Sequence, residues 1–272
     1  DEWYCNRLIN EAILALHHHS NGPVHINIPI SEPFFDCSVE EIEQERMIHR
    51  NAPYKQIWMD AQRPLFVVGQ LPVEEAKHLK ELLRTINCPI FCEHLSNLGD
   101  DPSFIYNADC ILTDEMKEEM KPDLVIYLGG HVVSKRIKKW IRQIHSPHGW
   151  RISSDGECAD TFQCLTNCIE QTSYDFVQSL SPKAVDNDFL LRWKDAKEKA
   201  ENNNPQTESY TALSVVQRFI SLLPDDTSLI LANSSAVRYA QTEPIKAQNV
   251  YVSCNRGVNG IDGSLSAAIG YA

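Results

Sequence analysis

Apolar positions along this chain change their period more than once. Leu8, Ile9, Ala12, Ile13 and Leu16 lie three and four apart, which predicts an opening amphipathic helix. Pro23-Val24-His25-Ile26-Asn27-Ile28-Pro29 then alternates apolar and polar residues, the period of a strand closed by proline. A charged stretch at 38–50 predicts a link. From Arg63 onward, short apolar runs are separated by helical periods. Pro64-Leu65-Phe66-Val67-Val68 predicts a strand, Val73, Ala76, Leu79, Leu82, Leu83 and Ile86 a helix, and Pro89-Ile90-Phe91-Cys92 the next strand. Leu124-Val125-Ile126-Tyr127-Leu128 repeats the strand signal, a helix carrying Ile137, Trp140, Ile141 and Ile144 follows, and another strand starts at Trp150. Strands apolar on both faces and separated by helices predict an α/β domain with a doubly wound parallel sheet over 53–180. Residues 181–205 are polar and charged and predict a second link. Past them a new α/β unit opens, with a helix face of Leu213, Val216, Phe219, Ile220 and Leu223 and strands at 228–232 and 249–253.

Length and charge narrow the functional classes. The 272 residues suffice for about two domains, and 43% hydrophobic residues allow a sizeable core. A net charge of −12 disfavours nucleic acid as the main partner, since only 135–142 is locally basic. Uninterrupted apolar runs fall short of the roughly 18 residues of a membrane helix, and the protein is expected to be cytoplasmic. The chain opens at Asp1 inside a helical pattern and stops at Ala272 inside another. It is therefore expected to be a piece of a longer protein. The nine cysteines are spread through apolar runs, with no Cys-x-x-Cys pair, and are expected to be reduced core thiols. His17-His18-His19 offers a poor metal cage, because adjacent side chains on a helix or strand point apart.

Ligands of open α/β sheets sit beyond the carboxyl ends of the strands, and two strand ends here carry polar clusters. Asn233-Ser234 with Arg238 places a hydroxyl and a guanidinium four residues apart. Asn255-Arg256-Gly257-Val258-Asn259-Gly260-Ile261-Asp262-Gly263 combines closely spaced glycines with an arginine fork suited to carboxylate or phosphate. Ser134-Lys135-Arg136 opens a helix that could aim Lys135 at an anion, or simply present a solvated basic face. Gly69-Gln70-Leu71-Pro72 lacks the glycines of a dinucleotide fingerprint. No nucleophile elbow or Walker loop is found.

Three segments together, Gly22-Pro23-Val24-His25-Ile26-Asn27-Ile28-Pro29-Ile30-Ser31-Glu32-Pro33, the stretch from Asn233 to Arg238, and Cys254 with the glycine-rich loop after it, resemble the 2-succinyl-5-enolpyruvyl-6-hydroxy-3-cyclohexene-1-carboxylate (SEPHCHC) synthase family, MenD, of menaquinone biosynthesis. The resemblance runs the length of the chain. It implies a thiamine-diphosphate enzyme built from a pyrimidine-binding domain (its tail at 1–36), a linker (37–52), a central Rossmann-like domain (53–180), a second linker (181–205) and the start of a diphosphate-binding domain (206–272). It also implies thiamine diphosphate with Mg2+ or Mn2+ as cofactors, 2-oxoglutarate and isochorismate as substrates, and a homodimer or dimer of dimers. By motif match, Ser234, Arg238, Arg256 and Lys135 would hold substrate carboxylates, and Ile261 would be the apolar wedge against the cofactor. The activating glutamate would lie upstream and the metal motif downstream, leaving the fragment inactive alone, with no catalytic or metal-binding residue of its own. The alternatives are another thiamine-diphosphate carboligase or decarboxylase, or a non-catalytic module binding a nucleotide or effector in its central domain.

Overall fold

The computed structural model describes residues 2–31, 40–41, 44–106, 108–112, 118–202, 209–257 and 260–272. Helix α1 (Glu2–Ala15) is followed by β1 (His49–Arg50), α2 (Lys55–Asp60), β2 (Pro64–Val68), α3 (Val73–Arg84) and β3 (Ile90–Cys92). Then come α4 (Ala108–Ile111), β4 (Leu124–Leu128), α5 (Lys135–Ile144), β5 (His148–Ile152), β6 (Asn167–Ile169), α6 (Ser173–Ser179) and α7 (Asn187–Asn202). The last elements are α8 (Ala212–Ser221), β7 (Ser228–Leu231), α9 (Ser235–Ala240), β8 (Tyr251–Cys254) and α10 (Ser264–Tyr271).

Six parallel strands form the central sheet in the order β1-β6-β5-β4-β2-β3. Alternation along β2 and β4 explains the layers on both faces. Phe66, Val68, Leu124, Ile126 and Leu128 pack with α3 and α6 through Ala76, Leu79, Leu83 and Phe176. Leu65, Val67, Val125 and Tyr127 face α4, α5 and α7 through Ala108, Ile137, Trp140, Ile141, Phe189 and Trp193. Such two-sided burial makes the strands continuous apolar runs. Two stretches expected to be links contribute to this body. β1 adds an edge strand beside β6, and α7 buries Phe189 and Trp193 in the core.

Two expectations are corrected. Residues 23–31 form no strand, and Ile26, Ile28 and Ile30 are exposed; alternation specifies a strand only where a neighbouring strand supplies the hydrogen bonds. Not every thiol is free either: Cys158 and Cys168 form a disulfide, their Cα atoms 5.6 Å apart, because the loop after β5 folds back over β6. Cys88, Cys92, Cys164 and Cys254 are free and buried, while Cys5 and Cys110 are free and exposed.

The smaller C-terminal unit pairs β7 and β8 in parallel over a core of Ile220, Leu229, Leu231, Val237, Val252 and Cys254. A short turn after β3 docks it onto the central sheet. His94 Nε2 faces two backbone carbonyls, Ala240 O at 3.0 Å and Glu243 O at 2.9 Å, so that nitrogen carries a proton and donates. Burial pushes the His94 pKa down, against the pull of those carbonyls. Asn97, in the left-handed region at φ 53°, donates through Nδ2 to Val252 O (3.1 Å) and accepts from Val252 N (2.8 Å), acting as a one-residue neighbour of β8. Among the described residues, no helix is long and apolar enough to cross a membrane.

Candidate functional site

The carboxyl ends of β7 and β8 lie side by side, and the residues just past them are tied by one buried amide. Asn233 is 4% exposed. Its Nδ2 donates to Asn255 O (2.5 Å) and Gly260 O (2.7 Å), and its Oδ1 accepts from Arg256 Nη1 at 2.7 Å. One side chain thus gathers both ends of the glycine-rich loop and fixes its guanidinium. Arg256 is half-buried, and its Nε is buried without a hydrogen-bond partner among the described residues. Val258 and Asn259 lie outside the described residues.

Ser234 follows with φ 69° and ψ −124°, a backbone conformation that glycine tolerates and other residues rarely adopt. Ser234 and Arg238 are both exposed, and Arg238 has no ion-pair or hydrogen-bond partner among the described residues. Ile261 stands in the same loop, 70% exposed.

Lys135 begins α5, exposed and likewise without a partner among the described residues. The start of that helix is set by Glu93, a 3% exposed carboxylate at the end of β3. Glu93 accepts from Val133 N and Ser134 N, each at 2.7 Å, and Ser134 Oγ in turn caps the helix by accepting from Ile137 N at 3.0 Å. Burial lifts the Glu93 pKa to about 6, against the two backbone donors. Lys138, one turn further on, donates to Val132 O at 3.0 Å. Burial lowers its pKa, Glu93 opposes that, and Arg256, Arg142 and Lys135 lower it further by like-charge repulsion. Lys138 thus feels the positive charge of both Lys135 and Arg256.

The structure thus places Ser234, Arg238, Arg256 and Ile261 around two adjacent strand ends. Lys135 belongs to the same cationic region through Lys138. Reasoning from the sequence missed Glu93 and Lys138. A glutamate directly after an apolar strand was the available signal for the first, whereas Lys138 looked like one more solvated lysine.

A second concavity, of about 700 Å3, opens at the carboxyl ends of the central sheet, where the connection from β2 runs outward to β3 and the chain then returns across β2 to β4. Buried Arg151 lines it, its guanidinium 4.4 Å from the Tyr127 ring centre. A Cβ at Gly69 would come within 2.1 Å of Gly130 O, so the missing side chain serves contact between two loops and not approach to a phosphate. Glu74 and Glu75 occupy the first turn of α3, where they oppose an anion.

The family model described as the middle domain of thiamine pyrophosphate matches residues 37–231. The 2-succinyl-5-enolpyruvyl-6-hydroxy-3-cyclohexene-1-carboxylate synthase of Bacteroides fragilis is 41% identical over 293 residues, covering 100% of this chain and 51% of the relative. Proteins of the same name from Cytophaga hutchinsonii (34% identical, 100% of this chain, 52% of the relative) and Porphyromonas gingivalis (28%, 99% and 51%) are also similar. The chain spans about half the length of the curated relatives it matches.

Proposed function

Because the chain belongs to the thiamine pyrophosphate middle-domain family, we propose that it is part of a SEPHCHC synthase, which decarboxylates 2-oxoglutarate and adds the succinyl unit to isochorismate, releasing CO2. The names of the relatives support this reading. The observation that carries it is Arg256, fixed by buried Asn233 at the end of β8. Both substrates carry more than one carboxylate, and an anchored guanidinium, with Arg238 and Lys135 unpartnered among the described residues, is suited to clamping them.

In this reading Arg256 takes a carboxylate through its guanidinium edge, while exposed Arg238 and Lys135 neutralise the remaining charge. The Ser234 hydroxyl donates to the same anion. Thiamine diphosphate, when bound, supplies the carbanion chemistry. The exposed apolar side chain of Ile261 fits a place against the cofactor ring. Mg2+ or Mn2+ would be held by residues outside 1–272. The proposed division is a pyrimidine-domain tail at 1–36, a central domain at 53–180 and the start of a diphosphate-binding domain at 206–272, with 37–52 and 181–205 between them. A cytoplasmic homodimer completes the proposal.

The test uses the full-length enzyme with thiamine diphosphate and Mg2+, following 2-oxoglutarate consumption with and without isochorismate for wild type and Arg256→Ala. Isochorismate-dependent turnover that collapses in the variant supports the reading. Indifference to 2-oxoglutarate whatever the acceptor overturns the substrate assignment, and unimpaired turnover by the variant overturns the role of Arg256.

A further inference from the structure

The triplet His17-His18-His19 lies just past α1, where a regular helix would set successive side chains about 100° apart. His19 leaves that geometry, with φ 60°. Its ring swings alongside that of His18, with centroids 3.9 Å apart and planes inclined by 33°. The expectation that adjacent histidines diverge fails here because one left-handed residue turns the second imidazole back onto the first.

The two rings meet a carboxylate from the central sheet. Glu170 follows β6 directly, and its Oε2 lies 3.2 Å from His18 Nε2 while its Oε1 lies 3.5 Å from His19 Nε2. One ligand atom from each of the three residues lies within 4.8 Å of the others. Around a tetrahedral zinc ion with bonds of about 2.0–2.1 Å, neighbouring ligand atoms stand about 3.3–3.4 Å apart. The two separations, 3.2 and 3.5 Å, bracket that value. Two imidazoles and one carboxylate favour zinc over the hard cations Mg2+ and Ca2+, which take oxygen ligands.

We propose that His18, His19 and Glu170 form a zinc site, with the fourth position open to water. It shares no residue with the cluster of Ser234, Arg238 and Arg256. Bound there, the ion would staple the segment after α1 to the end of β6. Arg50 is its competitor: Nη1 lies 3.3 Å from His18 Nε2 and also donates to Gly156 O. Guanidinium and zinc cannot share one imidazole lone pair, so Arg50 holds the cluster together when zinc is absent and gives way when it binds.

The test uses full-length protein carrying Cys5→Ser and Cys110→Ser, because those exposed thiols are independent zinc ligands. After removal of metals and cofactor with a chelator, Co2+ should bind with the visible absorption of a four-coordinate site, and Zn2+ should displace it. A chromophoric chelator then reports zinc affinity by competition. His19→Ala, exposed enough to leave the fold intact, and Glu170→Gln should each weaken zinc by about tenfold or more. Arg50→Gln should tighten it. Zinc should raise the melting temperature of the parent but not of His19→Ala. Equal zinc affinity in parent, His19→Ala and Glu170→Gln would overturn the proposal, as would weaker binding in Arg50→Gln or no Co2+ uptake by the parent.

Discussion

Asn233 uses every polar atom of its carboxamide on one loop, which makes that loop sensitive to its substitution. Asn233→Ala leaves two loop carbonyls and a half-buried guanidinium without their partner. It is expected to lower stability by about 1–3 kcal/mol and to reduce kcat/KM for 2-oxoglutarate in the full-length enzyme at least tenfold, as checked by urea unfolding and steady-state kinetics. Ser234 poses the opposite case, because its backbone conformation suits glycine better than serine. Ser234→Gly should stabilise by about 1 kcal/mol while losing the hydroxyl and hence activity; Ser234→Ala should lose activity with no gain in melting temperature. Glu93 gives a signed pH dependence. Its folded pKa is lifted to about 6 from an ordinary 4.5, so between those values the native state holds more protons than the unfolded chain, and stability falls as pH rises through the window. Measured against Glu93→Gln, which does not titrate, the wild type should lose about 1.5 kcal/mol between pH 4.5 and 6.5; a constant difference would refute the lifted pKa. Ser234, Arg238 and Arg256 could be singled out in the sequence because their spacing and neighbours are local. Glu93 could not, since its partners Val133 and Ser134 lie some forty positions downstream.

At the scale of elements, burial on both faces decided what could be read. β2, β4 and the helices between them stand out because every strand position is apolar and each helix has a single apolar face. The two-residue strand β1 is too short for any period to appear; only pairing with β6 makes it a strand. α1 forms as its spacing predicts but docks by its other side. Buried Asn10 accepts from Ile48 N (2.8 Å) and donates to Arg46 O (3.1 Å), while Leu8, Ile9 and Ile13 remain exposed. Periodicity locates an apolar face and says nothing about which body covers it. If the rest of the full-length protein covers this one, Ile13→Glu should change the stability of the 272-residue chain by no more than about 0.5 kcal/mol, the range of surface substitutions, yet lower that of the full-length protein by more than 1 kcal/mol. Thermal and urea unfolding of both forms would decide; equal small effects would mean that the face stays solvated.

At the scale of the whole molecule, the proposed carboxylate clamp spans a junction, since Lys135 lies on α5 beside the central sheet and Arg256 just past β8 in the C-terminal unit. Their geometry depends on how firmly the turn after β3 grips β8. That grip combines Leu95 and Val133, buried in the core of the C-terminal unit, with polar contacts: the His94 ring on Ala240 O and Glu243 O, Gln241 Oε1 accepting from His94 N, and the paired bonds of Asn97 with Val252. Nothing in the sequence marks these residues, because a turn that substitutes for a neighbouring strand has no period of its own. A hydrogen-exchange experiment isolates the contribution of Asn97. In Asn97→Ala the Val252 amide loses its acceptor and the Val252 carbonyl loses its side-chain donor. Opening of β8 should become easier by about 1–2 kcal/mol, the worth of the lost pair, and the Val252 amide should exchange about tenfold faster. Amides of β2 and β4, deep in the central sheet, should keep their protection. Acceleration in both places would mean that the two bodies open as one unit, and the Lys135 to Arg256 spacing would then be a property of a single fold. Acceleration confined to β8 would make that spacing adjustable, and the same variant should raise KM for 2-oxoglutarate in the full-length enzyme more than it lowers kcat, because what loosens is the proposed clamp on the carboxylates.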